Sequence, residues 1–292
     1  MPTSRVGRLA VFGVGLIGGS FAAALKAVHA VGHVTGVGRG RANLERALAL
    51  GVVDEIATDA RSAVQGADLV LVAVPVQQTA RVFAAIAPHL SAHAVLTDAG
   101  STKQDVIAAA RAALGPRMRR FVPAHPIAGA ELTGVDAAKA SLYHGRSVVI
   151  TALPETDADA IGKVKSAWQV CGARTVRMTP ERHDAVFAAV SHLPHALAFA
   201  LVHMIAARPG ADELFAQAGA GFRDFTRIAS SSPEMWRDIC IGNRGALLAE
   251  MDAYAQALGT LRALIAAEDA DGIEGVFAAA RAARNRWLDN AR

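Results

Sequence analysis

The sequence predicts an α/β chain in two parts, a doubly wound parallel sheet followed by an all-helical half, and three observations carry this prediction. A Gly-x-Gly-x-x-Gly turn, Gly13-Val14-Gly15-Leu16-Ile17-Gly18, joins an apolar strand-like run to an apolar helix-like run near the start. Short β-branched runs then alternate with helix-period runs up to about residue 178, the pattern of a parallel sheet with helical crossovers. Beyond Pro180 the period-two pattern stops and only long, alanine-rich helical faces remain.

The first strand is expected at 9–13. At the turn that follows, Gly13 permits a tight bend, Gly15 leaves room for a pyrophosphate, and Gly18 lets the helix pack close to the strand. The free N–H groups at the start of that helix, expected at 21–28, face the phosphates, and Leu16 and Ile17 of the turn are expected among the cofactor contacts. A strand before the turn and a helix after it are the context that makes the motif a dinucleotide site of the Rossmann type.

The second strand, 33–37, ends at Gly38, where an NAD-type site would carry a carboxylate for the ribose hydroxyl. Arg39 and Arg41 follow and can pair with a 2′-phosphate, so NADP, or dual use of NADP and NAD, is expected. A helix at 42–50 leads to the strand 68–75, whose end, Val74-Pro75, lines the cofactor crevice. Next come a helix at 79–90, a strand at 94–98, a helix at 103–114 and a strand at 121–124. Strands at 147–151 and 174–178, with a helix at 159–171 between them, complete this part.

Thr179 before Pro180 reads as a helix cap with proline in the first turn, which places a boundary between 1–178, the dinucleotide-binding part, and 179–292, the helical part. Helices are expected at 181–206, 211–225, 232–259 and 261–288. Pro194 should kink the first of them, because it removes a backbone donor and crowds the preceding turn. The apolar faces of these helices point to a homodimer.

Composition narrows the function classes. The chain has 292 residues, 52% hydrophobic and 19% charged, with a formal net charge of +4. No unbroken apolar run reaches the roughly 20 residues of a membrane span, and the first residues show no signal-peptide pattern, so a cytoplasmic protein is expected. Arginines are spread along the chain without aromatic interleaving, which favours an anionic small substrate over nucleic acid. Cys171 and Cys240 suggest neither a disulfide nor a metal knuckle. His192 and His195 share a helical face at metal-ligand spacing, but no carboxylate accompanies them, and no metal is expected. His183 and His203 read as packing or surface residues, Trp168 and Trp287 as core or interface.

Two polar segments at strand ends carry the chemistry: Asp98-Ala99-Gly100-Ser101-Thr102-Lys103 and His125-Pro126-Ile127-Ala128-Gly129. His125 is followed by proline and held extended, so its imidazole can lean over the crevice and take the proton of an alcohol while hydride leaves for a nicotinamide. Ser101, from a neighbouring strand end, is expected to hydrogen-bond the ring and set its tautomer.

These segments occur together with Ser191-His192-Leu193-Pro194-His195 and Gly221-Phe222-Arg223-Asp224-Phe225-Thr226-Arg227-Ile228-Ala229. The set resembles the prephenate and arogenate (cyclohexadienyl) dehydrogenase family over nearly the whole chain. The resemblance implies oxidative decarboxylation of a cyclohexadienyl substrate by a dimer built through the helical part. It also implies that His125 acts on the ring hydroxyl with Ser101 as its partner, that His195 lies in the substrate pocket, and that Arg227 receives a carboxylate. Asp224 and Trp236 would be pocket neighbours, and Arg223 an alternative carboxylate partner. A 3-hydroxyacid dehydrogenase or imine reductase, and a dinucleotide-binding regulator without turnover, are the rival readings. The chain's ends leave no room for a fused chorismate mutase or a regulatory module on this reading.

Overall fold

The computed structural model describes residues 5–129 and 133–290; expectations about residues 1–4 and the last two residues lie outside these. The chain forms two compact units, Met1–Arg244 and Gly245–Arg292.

In the first unit, strands β1 (Val6–Phe12), β2 (Val31–Val37), β3 (Glu55–Ile56), β4 (Leu69–Val72), β5 (Val95–Asp98) and β6 (Phe121–Val122) form one parallel sheet in the order β3-β2-β1-β4-β5-β6. Helices α1 (Leu16–Ala27), α2 (Arg41–Ala49), α3 (Ala60–Val64), α4 (Thr79–Ile86) and α5 (Gln104–Leu114) supply the crossovers. Strand order reverses between β1 and β4, so the crevice beyond their carboxyl ends is where such a sheet holds a ligand.

Both faces of the sheet are covered, which is why its central strands read as continuous apolar runs rather than alternating ones. Leu9 and Val11 of β1 and Leu69 and Leu71 of β4 share one core with Phe21 and Leu25 of α1. Ala10, Phe12, Val70 and Val72 belong to the other, with Phe83 and Ile86 of α4. In the first core the fully buried Trp168 packs against Phe21 and Tyr143, at ring separations of 4.5 and 5.1 Å.

Besides the later helices, where the one expected at 211–225 is broken at 217–219, the one expected at 232–259 is broken at 243, and the break expected at 260 falls at 267–269 instead, three features depart from the sequence reading. The stretch at 51–66 contains the short β3 and α3, too brief to leave a periodic signature. The expected strand at 121–124 is cut at Pro123, which cannot donate to a ladder. Beyond it, β7 (Ala124–Pro126), β8 (Ser147–Ile150) and β9 (Arg174–Arg177) form a separate three-stranded sheet, β7 antiparallel to β8 and β9 parallel to it. Helix α6 (Ala158–Val170) joins β8 to β9.

The third departure concerns Pro194. The helical stretch runs α7 (Pro180–Phe187), a π-helical turn Ala188–His192, then α8 (Leu193–Ala206). Proline has no N–H to return to the preceding turn, and the widened turn absorbs the missing bond. Although this stretch is long and apolar enough to cross a membrane by length and composition, it carries His183, Asp184 and His192 buried inside the first unit. Helices α9 (Ala211–Ala216), α10 (Ala220–Thr226) and α11 (Pro233–Gly242) follow. Thr179 caps α7 by accepting from the Arg182 backbone N–H, as Thr-Pro predicts.

The second unit consists of α12 (Arg244–Ala266), from its second residue on, and α13 (Ala270–Asn290). Leu248, Met251, Tyr254, Leu258, Ile265, Val276, Phe277 and Trp287 are exposed on it. So many large apolar side chains facing solvent mark a surface built to be covered.

Candidate active site

Two cavities lie at the switch point of the parallel sheet and beside it. The first, of about 790 Å³, is walled by Gly13, Val14 and Gly15 after β1, by Gly38, Arg39, Gly40 and Asn43 after β2, and by Ala73, Val74 and Pro75 after β4. Gly13 has φ +94, and a Cβ there would stand 2.4 Å from the Ala73 carbonyl oxygen. At Gly18 a Cβ would meet the Gly13 carbonyl oxygen at 2.2 Å, so these two glycines are required by packing. Gly15 differs, because a Cβ there has nothing within 4 Å and would enter open space in front of α1. The residue kept bare for packing and the residue kept bare for a visitor are thus distinct, and the cradle fits a pyrophosphate at the helix N-terminus.

Arg39 and Arg81 are both on the wall of this cavity. Arg41 is not among the wall residues; it pairs with Glu45 one turn along α2, 2.7 Å away. Asp59, the carboxylate on the wall, accepts from the Ser62 backbone N–H as the cap of α3. Arg39 also approaches Glu234 at 3.6 Å, an exposed pair of little energetic weight.

The second cavity, of about 810 Å³, brings together Leu16 and Ile17 of α1, Ser101 after β5, His125 of β7, Arg146 before β8, Ser191 and His195 around the π turn, and Arg227 and Trp236 from the later helices. Of the residues the sequence singled out, Gly13, Gly15, Arg39, Val74 and Pro75 fall on the first cavity, and Leu16, Ile17, Ser101, His125, His195, Arg227 and Trp236 on the second. Gly18 lies behind them, in the packing between α1 and β1. Asp224 is on neither wall and is exposed on α10. Arg223 is exposed as well.

A buried ion pair holds the strand end that presents His125. Lys103 and Asp98 are almost wholly inaccessible and in direct contact. Lys103 Nζ donates to the Ala124 carbonyl at 2.9 Å, while Asp98 accepts from the Ala124 and Gly100 backbone N–H groups. Burial pushes the Asp98 pKa up, with Lys103 and these N–H groups pulling against it. Both polar groups of the residue before His125 are therefore clamped by one pair, in the part of the fold where a lost partner would leave a buried charge.

The hydrogen bond expected from Ser101 to His125 is not formed. His125 Nδ1 instead faces His183 Nε2 at 2.8 Å, and His183 Nδ1 faces Asp184 Oδ1 at 2.8 Å. Expected as a packing or surface residue, His183 is fully buried. Asp184 also accepts from the Lys103 and Gln104 backbone N–H groups, and so caps α5 from another element. Two residues 58 positions apart in sequence meet only because α7 docks on the start of α5, and the sequence carries no periodic signal of that docking. Burial, then the neighbouring His183, Lys103 and His192, hold the His125 pKa well below its ordinary value. The base form is the resting form.

His195 donates from Nδ1 to the Ser191 carbonyl at 2.9 Å and stacks on Trp236, with ring centroids 3.6 Å apart and planes 18° from parallel. Burial lowers its pKa as well. The indole Nε1–H of Trp236 is buried with no acceptor among the described residues. His192 turns away from this wall, its Nδ1 against the Asn243 amide at 3.0 Å. Arg146, which sequence reasoning missed, is a second arginine on the cavity that Arg227 lines. Its position is set by the sheet: Ile127 N–H bonds the Ser147 carbonyl, which brings Arg146 alongside the Ile-Ala-Gly segment.

Comparison with known proteins agrees with this arrangement. The nucleotide-binding domain of prephenate dehydrogenase, as a family model, matches residues 21–177, and the dimerization domain matches residues 179–279. A prephenate dehydrogenase of Bacillus subtilis is 38% identical over 271 residues, 92% of this chain and 73% of the relative. A cyclohexadienyl dehydrogenase of Zymomonas mobilis is 37% identical over 278 residues, 94% of both chains. The crystal structure of prephenate dehydrogenase from Aquifex aeolicus in complex with hydroxyphenyl propionate and NAD+ superposes with a TM-score of 0.89 at 35% identity, covering 96% of this chain and 98% of that one.

Proposed function

The chain belongs to the prephenate dehydrogenase family, and from that premise we propose that it oxidatively decarboxylates prephenate to 4-hydroxyphenylpyruvate, with residues 1–178 binding the dinucleotide and residues 179–292 completing the substrate pocket and the dimer. The observation that carries the proposal is one cavity in which a neutral, buried-edge imidazole, His125, shares a wall with two guanidinium groups, Arg146 and Arg227. A substrate with a ring alcohol and two carboxylates needs that set of partners.

Gly13, Val14, Gly15, Val74 and Pro75 would hold the dinucleotide, which supplies the hydride acceptor when bound. His125 accepts the proton of the ring hydroxyl as the carbon–oxygen double bond forms, and loss of carbon dioxide then leaves an aromatic ring. Because aromatisation drives the reaction, the protein has mainly to orient the substrate and stabilise developing charge. Arg227 and Arg146 anchor carboxylate, and His195, whose Nδ1 donates to the Ser191 carbonyl, presents on Nε2 a lone pair that can accept from a substrate hydroxyl. The carboxylate that departs as neutral carbon dioxide gains nothing from a cation in the transition state, so the guanidinium groups serve the side chain that stays. Ser101 stands on the wall beside His125 as a further donor to substrate.

Arogenate is the second substrate in this reading, favoured by the cyclohexadienyl dehydrogenase among the relatives. For the cofactor we favour NADP or dual use: Gly38 offers no carboxylate, and Arg39 and Arg81 flank the adenosine end. The exposed apolar side chains of α12 and α13 support a homodimer formed through those helices, and the cytoplasm is the proposed compartment. The test is parallel kinetics with prephenate and arogenate, each with NAD and NADP, followed at the absorbance of the reduced nicotinamide. His125→Asn should lower kcat by about 10² with dinucleotide affinity little changed; near-normal turnover in that variant would remove His125 from the mechanism.

A further inference from the structure

We infer that His183 and Asp184 form a proton relay behind His125, in which His183 takes over the positive charge that His125 acquires on accepting the substrate proton; this rests on the reading of His125 as the base. The tautomers follow from the donors around Asp184. Its carboxylate receives the Lys103 and Gln104 backbone N–H groups and the Gln104 side-chain amide. Burial pushes its pKa up, yet the bonds from His183 and those N–H groups outweigh burial and leave it below the usual carboxylate range. An ionised Asp184 can only accept, so His183 Nδ1 carries a hydrogen and, in the neutral ring, Nε2 is a lone pair. That lone pair lies 2.8 Å from His125 Nδ1, which must then be the protonated nitrogen. The lone pair of His125 is thereby fixed on Nε2, the nitrogen on the opposite side of the ring from His183.

The electrostatics explain why one imidazole does not suffice. The groups that face His125 are His183, Lys103 and His192, all neutral or cationic, together with the Phe187 ring edge. A positive charge left on His125 would have no carboxylate beside it. His183, by contrast, touches Asp184 and also feels Asp98, with Lys103 opposing. When the substrate O–H bond breaks and a hydrogen forms its bond to His125 Nε2, the His125 Nδ1–H bond can break as a hydrogen passes to His183 Nε2. One proton enters, one is handed on, no electrons are gained or lost, and the charge comes to rest as an imidazolium against a carboxylate. The same proton returns along the path when product has left. Such a passage needs no movement of heavy atoms, since both hydrogen bonds are already at 2.8 Å.

The decisive variant is His183→Gln. A glutamine amide oxygen can still accept from His125 Nδ1–H and keep its tautomer, but it cannot take the proton. Its kcat should fall by roughly 10², with the Michaelis constants for prephenate and dinucleotide held within about threefold. The wild-type proton inventory, turnover measured across mixtures of light and heavy water, should be curved as two protons move, and that of His183→Gln straight. Asp184→Asn should lower kcat similarly. A folded His183→Gln that turns over within about threefold of wild type overturns the relay, and if that variant does not fold, a straight wild-type inventory does so. His125→Asn separates the two levels: if it is near normal the base assignment fails, whereas if it collapses and His183→Gln does not, only the relay fails.

Discussion

The most exacting test of the buried histidines is the acid side of the stability curve. His192 is 1% exposed, and burial, aided by the nearby His183 and His195 and opposed by Asp184 and the Ser101 backbone, lowers its pKa from 6.5 to about 4. Its Nδ1 accepts from the Asn243 amide, so protonation also removes an acceptor from a buried donor. Between these two pKa values the unfolded chain binds the proton and the folded chain does not. Folding stability therefore falls as pH drops through that window and is fully present only above the unfolded value. Linkage for this single group amounts to about 2 kcal/mol lost by pH 5 and about 3 kcal/mol by pH 4, on the order of a fifth or more of a typical domain's stability. His125 and His183, whose pKa values are also lowered, add in the same direction; Asp98, raised by burial, works against them. Denaturant unfolding followed by circular dichroism at pH 7.5, 6 and 5, at one protein concentration, measures the slope. His192→Gln should start less stable at pH 7.5 yet lose about 2 kcal/mol less than wild type on going to pH 5. Parallel curves for the two proteins would refute the argument that His192 is held neutral by its surroundings.

Other expectations follow from the same geometry. Gly13→Ala should cost about 2–4 kcal/mol in stability, since the new Cβ meets a carbonyl at a strained φ, whereas Gly15→Ala should leave the Tm near wild type and weaken dinucleotide binding in a titration; loss of stability at Gly15 would mean that it, too, is a packing glycine. Arg227→Ala and Arg146→Gln should each raise the Michaelis constant for prephenate by roughly tenfold or more, the worth of a charge-assisted hydrogen bond, and an unchanged constant for Arg146→Gln would take that residue off the substrate. Arg39→Ala combined with Arg81→Ala should erase any preference for NADP over NAD, read from the ratio of their Michaelis constants; a wild type that strongly prefers NAD would sink the 2′-phosphate reading before the variants were made.

Sequence alone determined the elements whose signals are local. Gly13, Gly15 and Gly18 declare a turn because their spacing between an apolar strand and an apolar helix is a local signal, and the central strands declare themselves because a sheet covered on both faces needs unbroken apolar runs. The same holds for Thr179-Pro180, and for the presence of His125, Ser101, His195, Arg227 and Trp236 in recognisable segments. Asp224 was placed in the pocket by its neighbours in the chain, but it is exposed on α10 and lies on neither cavity wall. What only the tertiary structure decided is who meets whom. Asp184 caps a helix that begins 80 residues before it, His183 reaches His125 as a result, and Arg146 enters the cavity through the pairing of β7 with β8. Contacts of this kind depend on how finished elements dock, a matter of shape and buried polar satisfaction across long separations, and no periodicity in the chain records it.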